Sequence, residues 1–307
     1  MLLCAAVLFL ITGCVQQAAP TESSAATQKK PQIIAASYPL AYFAERIGGE
    51  LTDVTFSVPA DIDPADWQPD ATAIASVQSA DLILLNGAGY EKWAQRATLP
   101  LSRTLVTTRG VQEKLIPLAS VVTHQHGPQG DKSNSDVASF TWLDPQIAIA
   151  QAHAIREELL RLLPEQAETL NRNFETLDQD LQRLDQDLKT ALANVAAKKW
   201  LAKPPIFQYL QRRYGLNMKN AELDMSAAAS HDDWSQLVSY LKENPAEFLL
   251  CETDPSPAET EHLRSLGIHV VVFRPLGNRP ATGDYLTAMC TNLEQLRRAV
   301  DARNGQH

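Results

Sequence analysis

Two histidines one residue apart, His124 and His126, stand in a polar stretch that ends in Asp131 (Thr123-His124-Gln125-His126-Gly127-Pro128-Gln129-Gly130-Asp131). A pair of imidazoles there could hold a divalent transition metal weakly if Asp131 or water completed the shell. The plainer reading is an exposed polar loop with incidental histidines. His231-Asp232-Asp233 opens a helical pattern, where carboxylates suit the helix dipole and Asp is a good N-cap, so capping is the expected role. Cys251-Glu252-Thr253-Asp254 follows a strand pattern and so could face a cleft, but Asp254 before Pro255 is also ordinary turn chemistry, and no role is assigned to it. His153, His262 and His269 fall within predicted helices or a strand and read as structural or exposed. The chain shows no nucleophile-base-acid set, phosphate loop or dinucleotide fingerprint, and Gly87-Ala88-Gly89 is too short to count as one. An enzyme is not expected.

The elements that would position these residues fall into two similar halves around one long helical pattern over 164–198. Its apolar residues Leu170, Phe174, Leu177, Leu181, Leu184, Leu188, Ala191 and Val195 recur at spacings of three and four, and Pro164 suits its first turn. A helix of that length would run about 50 Å, enough to brace two lobes; a coiled-coil seam is the alternative. Before it, strands are predicted over 32–37, 51–58, 81–86 and 104–107, and helices over 39–47, 71–78, 90–96 and 145–162, with a polar loop over 123–136. After it come helices over 207–214, 234–243, 257–266 and 284–302, with strands over 248–251 and 269–273. Alternating strands and helices imply two α/β lobes with mainly parallel sheets, bridged by the one long rigid helix, and ligands of such sheets sit beyond the strands' carboxyl ends.

With 307 residues, 45% hydrophobic and 21% charged, the chain is long enough for two cores, and a formal net charge of −9 argues against a nucleic-acid partner. Residues 2–12 are too short an apolar run to span a bilayer and fit the core of a secretory signal. Ile11-Thr12-Gly13-Cys14 resembles the bacterial lipobox, which makes Cys14 the expected lipidation site. The run lacks the Lys or Arg that usually precedes such a region, leaving the natural start of the chain open. The expected division is a signal over 1–13, a tether over 14–30 rich in Gln, Ala, Ser and Thr, lobes over 31–162 and 200–303, and the linking helix over 163–199. Cys4 leaves with the signal and Cys14 carries lipid, so Cys251 and Cys290 remain as free thiols; export permits a disulfide between them, and two buried thiols is the alternative.

Several motifs together resemble the solute-binding proteins of bacterial zinc and manganese ABC transporters: Ser37-Tyr38-Pro39-Leu40 with Ile47-Gly48-Gly49, Asp81 to Gly87, Trp142-Leu143-Asp144-Pro145, Tyr209-Leu210-Gln211-Arg212-Arg213-Tyr214-Gly215-Leu216, and Pro275-Leu276-Gly277. The resemblance covers about 33–300 and implies two α/β lobes bridged by a long helix, Zn²⁺ or Mn²⁺ as cargo, an ABC permease as partner, a monomer, and a lipid-anchored site on the periplasmic or cell-surface side of the membrane. It also implies four ligand positions, and here the chain departs from the family. The His of a Pro-His-x-Trp pattern is Ala65, the His before Thr-Trp-Leu-Asp-Pro is Phe140, the His before the Phe-x-Tyr-Leu pattern is Pro204, and the Asp of Asp-Pro-Leu-Gly is Arg274. None of these four side chains is a donor suited to Zn²⁺ or Mn²⁺, and the guanidinium repels a dication. The expectation is therefore a solute-binding lipoprotein whose family metal site is degenerate. The alternatives are a descendant that keeps the fold to bind another protein, or one whose cleft, with Arg274, Phe140 and Trp142, takes an anion or a metal chelate.

Overall fold

The computed structural model describes residues 29–118, 137–220 and 231–304. Its first lobe begins with β1 (Gln32–Ala35), α1 (Tyr38–Gly48), β2 (Asp53–Thr55), α2 (Ala71–Ser79), β3 (Leu82–Leu85) and β4 (Thr104–Val106). These strands form one parallel sheet in the order β2-β1-β3-β4, with Ile34 opposite both Thr55 and Ile83. β3 reads Leu-Ile-Leu-Leu and is buried throughout, the continuous apolar run expected of a parallel strand covered on both faces. α3 (Pro145–Leu162) follows, N-capped by Asp144, whose side chain accepts from the Gln146 N–H, with Pro145 in the first turn.

α4 (Ala167–Leu192) is the bridging helix, entered through a 3₁₀ turn at Pro164–Gln166. Its 26 residues run about 39 Å. Leu170, Phe174, Leu177, Leu181, Leu184 and Leu188 bury the predicted stripe against α1 and α3 and, from the second lobe, α8 (Tyr285–Asn304). The helix stops six residues before the expected end at residue 198. There Asn217 N–H bonds the Ala196 carbonyl at 2.8 Å and Trp200 Nε1 the Val195 carbonyl at 2.9 Å, turning the chain into a strand that begins at Trp200.

That strand is β5 (Trp200–Lys203), followed by α5 (Gln208–Tyr214), β6 (Met218–Asn220), α6 (His231–Glu243), β7 (Phe248–Cys251), α7 (Pro257–Ser265) and β8 (His269–Val272) before α8. The second sheet is again parallel, in the order β6-β5-β7-β8. β5 and β6 are absent from the sequence expectation, being four and three residues long and too short to show a period. The predicted helix over 90–96 is only a 3₁₀ turn at Lys92–Gln95, and the strand over 51–58 shrinks to β2.

The expected disulfide is not formed: Cys251 is a buried free thiol and Cys290 an exposed one. Side chains alternate across a strand, so Cys251 joins Leu201, Leu249, Leu237 and Leu263 on the face covered by α6 and α7, while Leu250 and Val271 point to the opposite face, with the core that contains the α8 residues Met289 and Leu293. The sheet lies between the two sulfurs, and a bridge needs Cα atoms within about 7 Å. Burial instead pushes the Cys251 thiol up to about 12. Cys14, His124 and His126 lie outside the described residues, as do the side chains of His231, Asp232 and Asp233. Among the described residues no helix is long and apolar enough to cross a membrane.

Candidate ligand cleft

Strand order places the topological switch of the first sheet beyond the ends of β1 and β3, and that of the second beyond β5 and β7. The loop after β8 of the second lobe reaches across to the first lobe through residues 275–278. Tyr38 N–H donates to the Gly277 carbonyl at 2.9 Å, and Trp142 Nε1 to the Pro275 carbonyl at 2.6 Å. Asn278 Nδ2 donates to the carbonyls of Pro59 and Ile62 at 2.6 and 2.8 Å.

The centre of the meeting is aromatic. Tyr90 stands edge-on to Phe140 at 5.4 Å and to Trp142 at 4.9 Å, and Phe140 lies 5.3 Å from Trp142. All three are buried. Gly277 from the second lobe closes over them, and a Cβ there would come within 2.3 Å of the Tyr90 hydroxyl, so only glycine permits this approach. The preceding Leu276 takes a positive φ of 61°, an uncommon backbone state for a non-glycine residue.

Each position implied by the resemblance can be located. Ala65 sits in the turn after β2, its N–H donating to Asp63 Oδ1 at 2.9 Å and its methyl packed on the main core. Phe140 belongs to the aromatic cluster. Pro204 follows β5, half-buried, on a cis peptide bond with Lys203. Arg274 follows β8, its backbone clamped by Asn292 (2.9 and 2.8 Å) and its exposed guanidinium ion-paired with Asp254 of its own lobe. The side chains at the four positions are a methyl, a phenyl ring, a pyrrolidine and a paired cation. Among the described residues no group of three or more His, Cys, Asp or Glu is arranged to hold a metal ion.

The polar groups at this meeting point are others. Tyr90 Oη lies 3.5 Å from Asp63 Oδ1. Burial raises the Asp63 carboxyl, the Ala65 N–H opposes this, and Asp66 adds to the rise. Glu252, just beyond β7, is raised by burial and then by the charge of Asp63 across the cleft, with Lys203 pulling the other way. Two carboxylates and one lysine thus share the space. Sequence reasoning left Glu252 without a role and passed over Asp63, Tyr90, Lys203 and Asn278; the position of Glu252 and Lys203 at strand ends was the available signal. Below Tyr90, the fully buried Glu91 carboxylate accepts from the Asn86 and Gly87 N–H groups at 2.6 and 3.1 Å, and burial raises it to about 7 despite those bonds. It holds the β3 loop on which Tyr90 stands. Of the histidines, His153 is exposed beside Arg156 and Glu157, and burial lowers His269.

Comparison with known proteins places this architecture. The zinc-binding lipoprotein AdcA of Streptococcus pneumoniae is 26% identical over 89% of this chain and 56% of its own length, so the chain spans little more than half of that relative. The high-affinity zinc uptake system protein ZnuA of Bacillus subtilis is 23% identical over 85% of this chain and 82% of its own. The solved Zn(II)-bound ZnuA-like domain of Streptococcus pneumoniae AdcA superposes with a TM-score of 0.71 at 24% identity, covering 89% of this chain and all of that domain, a likeness of fold. These relatives are named as binding and uptake proteins, not as enzymes. Residues 33–299 match the family described as the zinc-uptake complex component A, periplasmic, and the chain belongs to it.

Proposed function

We propose that this protein is an extracytoplasmic solute-binding lipoprotein of the metal ABC uptake type whose family metal site no longer takes a bare dication. The observation that carries the second half is the cleft itself. Tight Zn²⁺ binding needs about four N, O or S donors in tetrahedral array, whereas Ala65, Phe140, Pro204 and Arg274 supply none, and Phe140 is packed with Tyr90 and Trp142. Solute-binding function and an ABC permease partner rest on family membership; attachment through Cys14, with 14–30 as tether, rests on the lipobox reading. Residual metal affinity is assigned to His124 and His126.

The test is metal analysis of purified protein with calorimetric titration of Zn²⁺ and Mn²⁺. Micromolar or weaker Zn²⁺ binding is expected, abolished by His124→Ala with His126→Ala. Joint replacement Ala65→His, Phe140→His, Pro204→His and Arg274→Asp is expected to create a much tighter site, since it supplies four donors suited to Zn²⁺. Stoichiometric nanomolar binding that survives loss of both loop histidines overturns the reading. For the anchor, Cys14→Ser is expected to release the protein from membranes; a mutant that still carries labelled acyl chain refutes it.

A further inference from the structure

The turn that carries Tyr90 to the cleft is held by a carboxylate with no cation beside it. Glu91 is 4% exposed, and its oxygens accept the Asn86 and Gly87 N–H groups at 2.6 and 3.1 Å. Among the described residues no Lys, Arg or His pairs with it. The titratable groups beside it on its own turn are Tyr90, whose hydroxyl meets Asp63, and Lys92, which pairs with Asp66 at the surface. The elements packed against the turn contribute Thr107, Thr108, Ser139, Thr141 and Gln151, none of them a titrating group. A buried ion without a counter-charge is disfavoured against its neutral form, and burial raises this carboxyl to about 7 in spite of the two N–H bonds.

The backbone of this turn is in an uncommon state. Gly87, Ala88 and Gly89 take φ of 80°, 51° and 69° in succession, the left-handed region that a residue such as Ala88 rarely enters. Asn86 ties the turn to the neighbouring loop, its Nδ2 donating to the Ser139 carbonyl at 2.9 Å and its Oδ1 accepting from Thr141 Oγ1 at 2.6 Å, so the supports of Tyr90 and Phe140 are coupled. Over these rings sits Gly277 of the second lobe, with no room for a Cβ beside the Tyr90 hydroxyl. A strained turn, held by a group with two protonation states, thus lies under a point where the lobes touch. We propose that proton loss from Glu91 unseats the second lobe at the cleft: protonated, Glu91 stays buried and Tyr90 supports Gly277; ionised, Glu91 turns to water, the 86–91 turn relaxes, and the cross-lobe bonds at Pro275 and Gly277 open while α4 still joins the lobes. The proton passes to solvent and no metal donor is involved, so the switch stands or falls apart from the metal titrations.

In the seated state the carboxyl titrates at about 7, and once hydrated it titrates as an ordinary glutamate, at about 4.3. Rising pH between these values therefore favours the unseated state, by up to about tenfold per unit, and the effect levels off above them. The measurement is hydrogen exchange, followed by NMR in the whole protein, of the Tyr38 N–H and the Trp142 indole N–H, which donate across the lobes to Gly277 and Pro275. The Ala36 N–H, which donates to the Leu84 carbonyl within the first sheet, is the reference. After correction for the intrinsic pH dependence of exchange, protection of the two cross-lobe N–H groups is expected to fall about 50-fold in wild type between about pH 5 and 7.5. It is expected to stay constant in Glu91→Gln, which is neutral throughout, and Ala36 is expected to remain better protected than either at both pH values. Constant protection in wild type overturns the proposal, as does an equal fall in Glu91→Gln. So does exchange of Ala36 in step with Tyr38, which would mean unfolding of the whole lobe rather than unseating; that wild-type comparison decides the matter even if the variant does not fold.

Discussion

Two of the places where the lobes join use opposite chemistry. Alongside the bridging helix the contact is polar: Asp185 of α4 accepts from Gln146 Nε2 at 2.9 Å, from Arg213 Nε at 2.9 Å and from Tyr214 Oη at 3.0 Å, while Arg212 and Arg213 lie 3.7 and 3.8 Å from Asp144, the cap of α3. At the cleft the contact is aromatic, Tyr90, Phe140 and Trp142 under Gly277. Every carboxylate of the polar brace has protein donors, so its burial is compensated whatever the protein carries. At Ala65, Phe140 and Pro204 there is by contrast no polar side-chain group to satisfy. The groups found at the four family positions need no partner or, in Arg274, bring their own in Asp254. A site completed from outside would instead leave buried polar groups without internal partners.

The largest effect is expected where packing does this joining. Trp142 is fully buried and donates to the Pro275 carbonyl across the lobes. Trp142→Ala should destabilise by about 3 to 5 kcal/mol in denaturant unfolding, from lost burial and the cavity left behind. Trp142→Phe, which keeps a ring and loses the hydrogen bond, should cost much less. If the two variants cost the same, the cleft is held by its hydrogen bonds and the contrast with the brace disappears.

Next comes the brace. Burial raises the Asp185 carboxyl, but the bonds from Arg213, Tyr214 and Gln146 outweigh it and hold it below the usual value. Asp185→Ala should cost about 3 kcal/mol, since it leaves Arg213 and Tyr214 without their acceptor. A depressed folded-state value means the stability is present above the unfolded-state value and lost as pH falls through the folded one. Wild type should therefore lose stability below about pH 4, and the variant should lose less; equal acid slopes would deny Asp185 this role.

Much of this was legible in the sequence, and the omissions share a cause. The stripe Leu170, Phe174, Leu177, Leu181 and the apolar run Leu82 to Leu85 announce themselves because their burial repeats at the period of their own element. Phe140 and Trp142 came into view through a motif. Tyr90, Glu252 and Asn278 did not, because their partners lie 27 or more residues away in the chain, as Asp63 does from Tyr90 and Pro59, at a separation of 219, from Asn278. The Cys251 and Cys290 pairing failed for the same reason: which face of a sheet a residue takes is local, but which helix covers that face is not.

A third effect separates the ground beneath the cleft from the brace by the sign of its pH dependence. Glu91 is raised to about 7 by burial, so the folded state favours its protonated form; its contribution is complete below the unfolded-state value and is lost as pH rises to about 7. Between pH 5 and 7 wild type should give up about 2 kcal/mol relative to Glu91→Gln, measured as the difference in unfolding free energy between the two proteins across that range. A difference that is flat with pH would mean that the carboxyl ionises without penalty and that the Asn86-Gly87 shelf under Tyr90 is indifferent to charge.

The smallest effect is expected at the rim. The Asn278 amide bridges the lobes through the carbonyls of Pro59 and Ile62, and these bonds are exposed to solvent, so in Asn278→Ala water replaces the lost donors. The net cost should be about 1 kcal/mol, set against about 3 to 5 for Trp142→Ala. What the amide does contribute is position. It fixes the turn that carries Asp63 and Ala65. Hydrogen exchange of the Ile62 and Asp66 N–H groups, which close this turn at 3.2 and 2.9 Å, should therefore quicken in Asn278→Ala while protection in β1 and β3 stays as in wild type. Should the substitution instead unfold the protein as readily as Trp142→Ala, the aromatic cluster is not what holds the cleft shut, and the division between a polar brace and a packed mouth fails at the point where it is easiest to test.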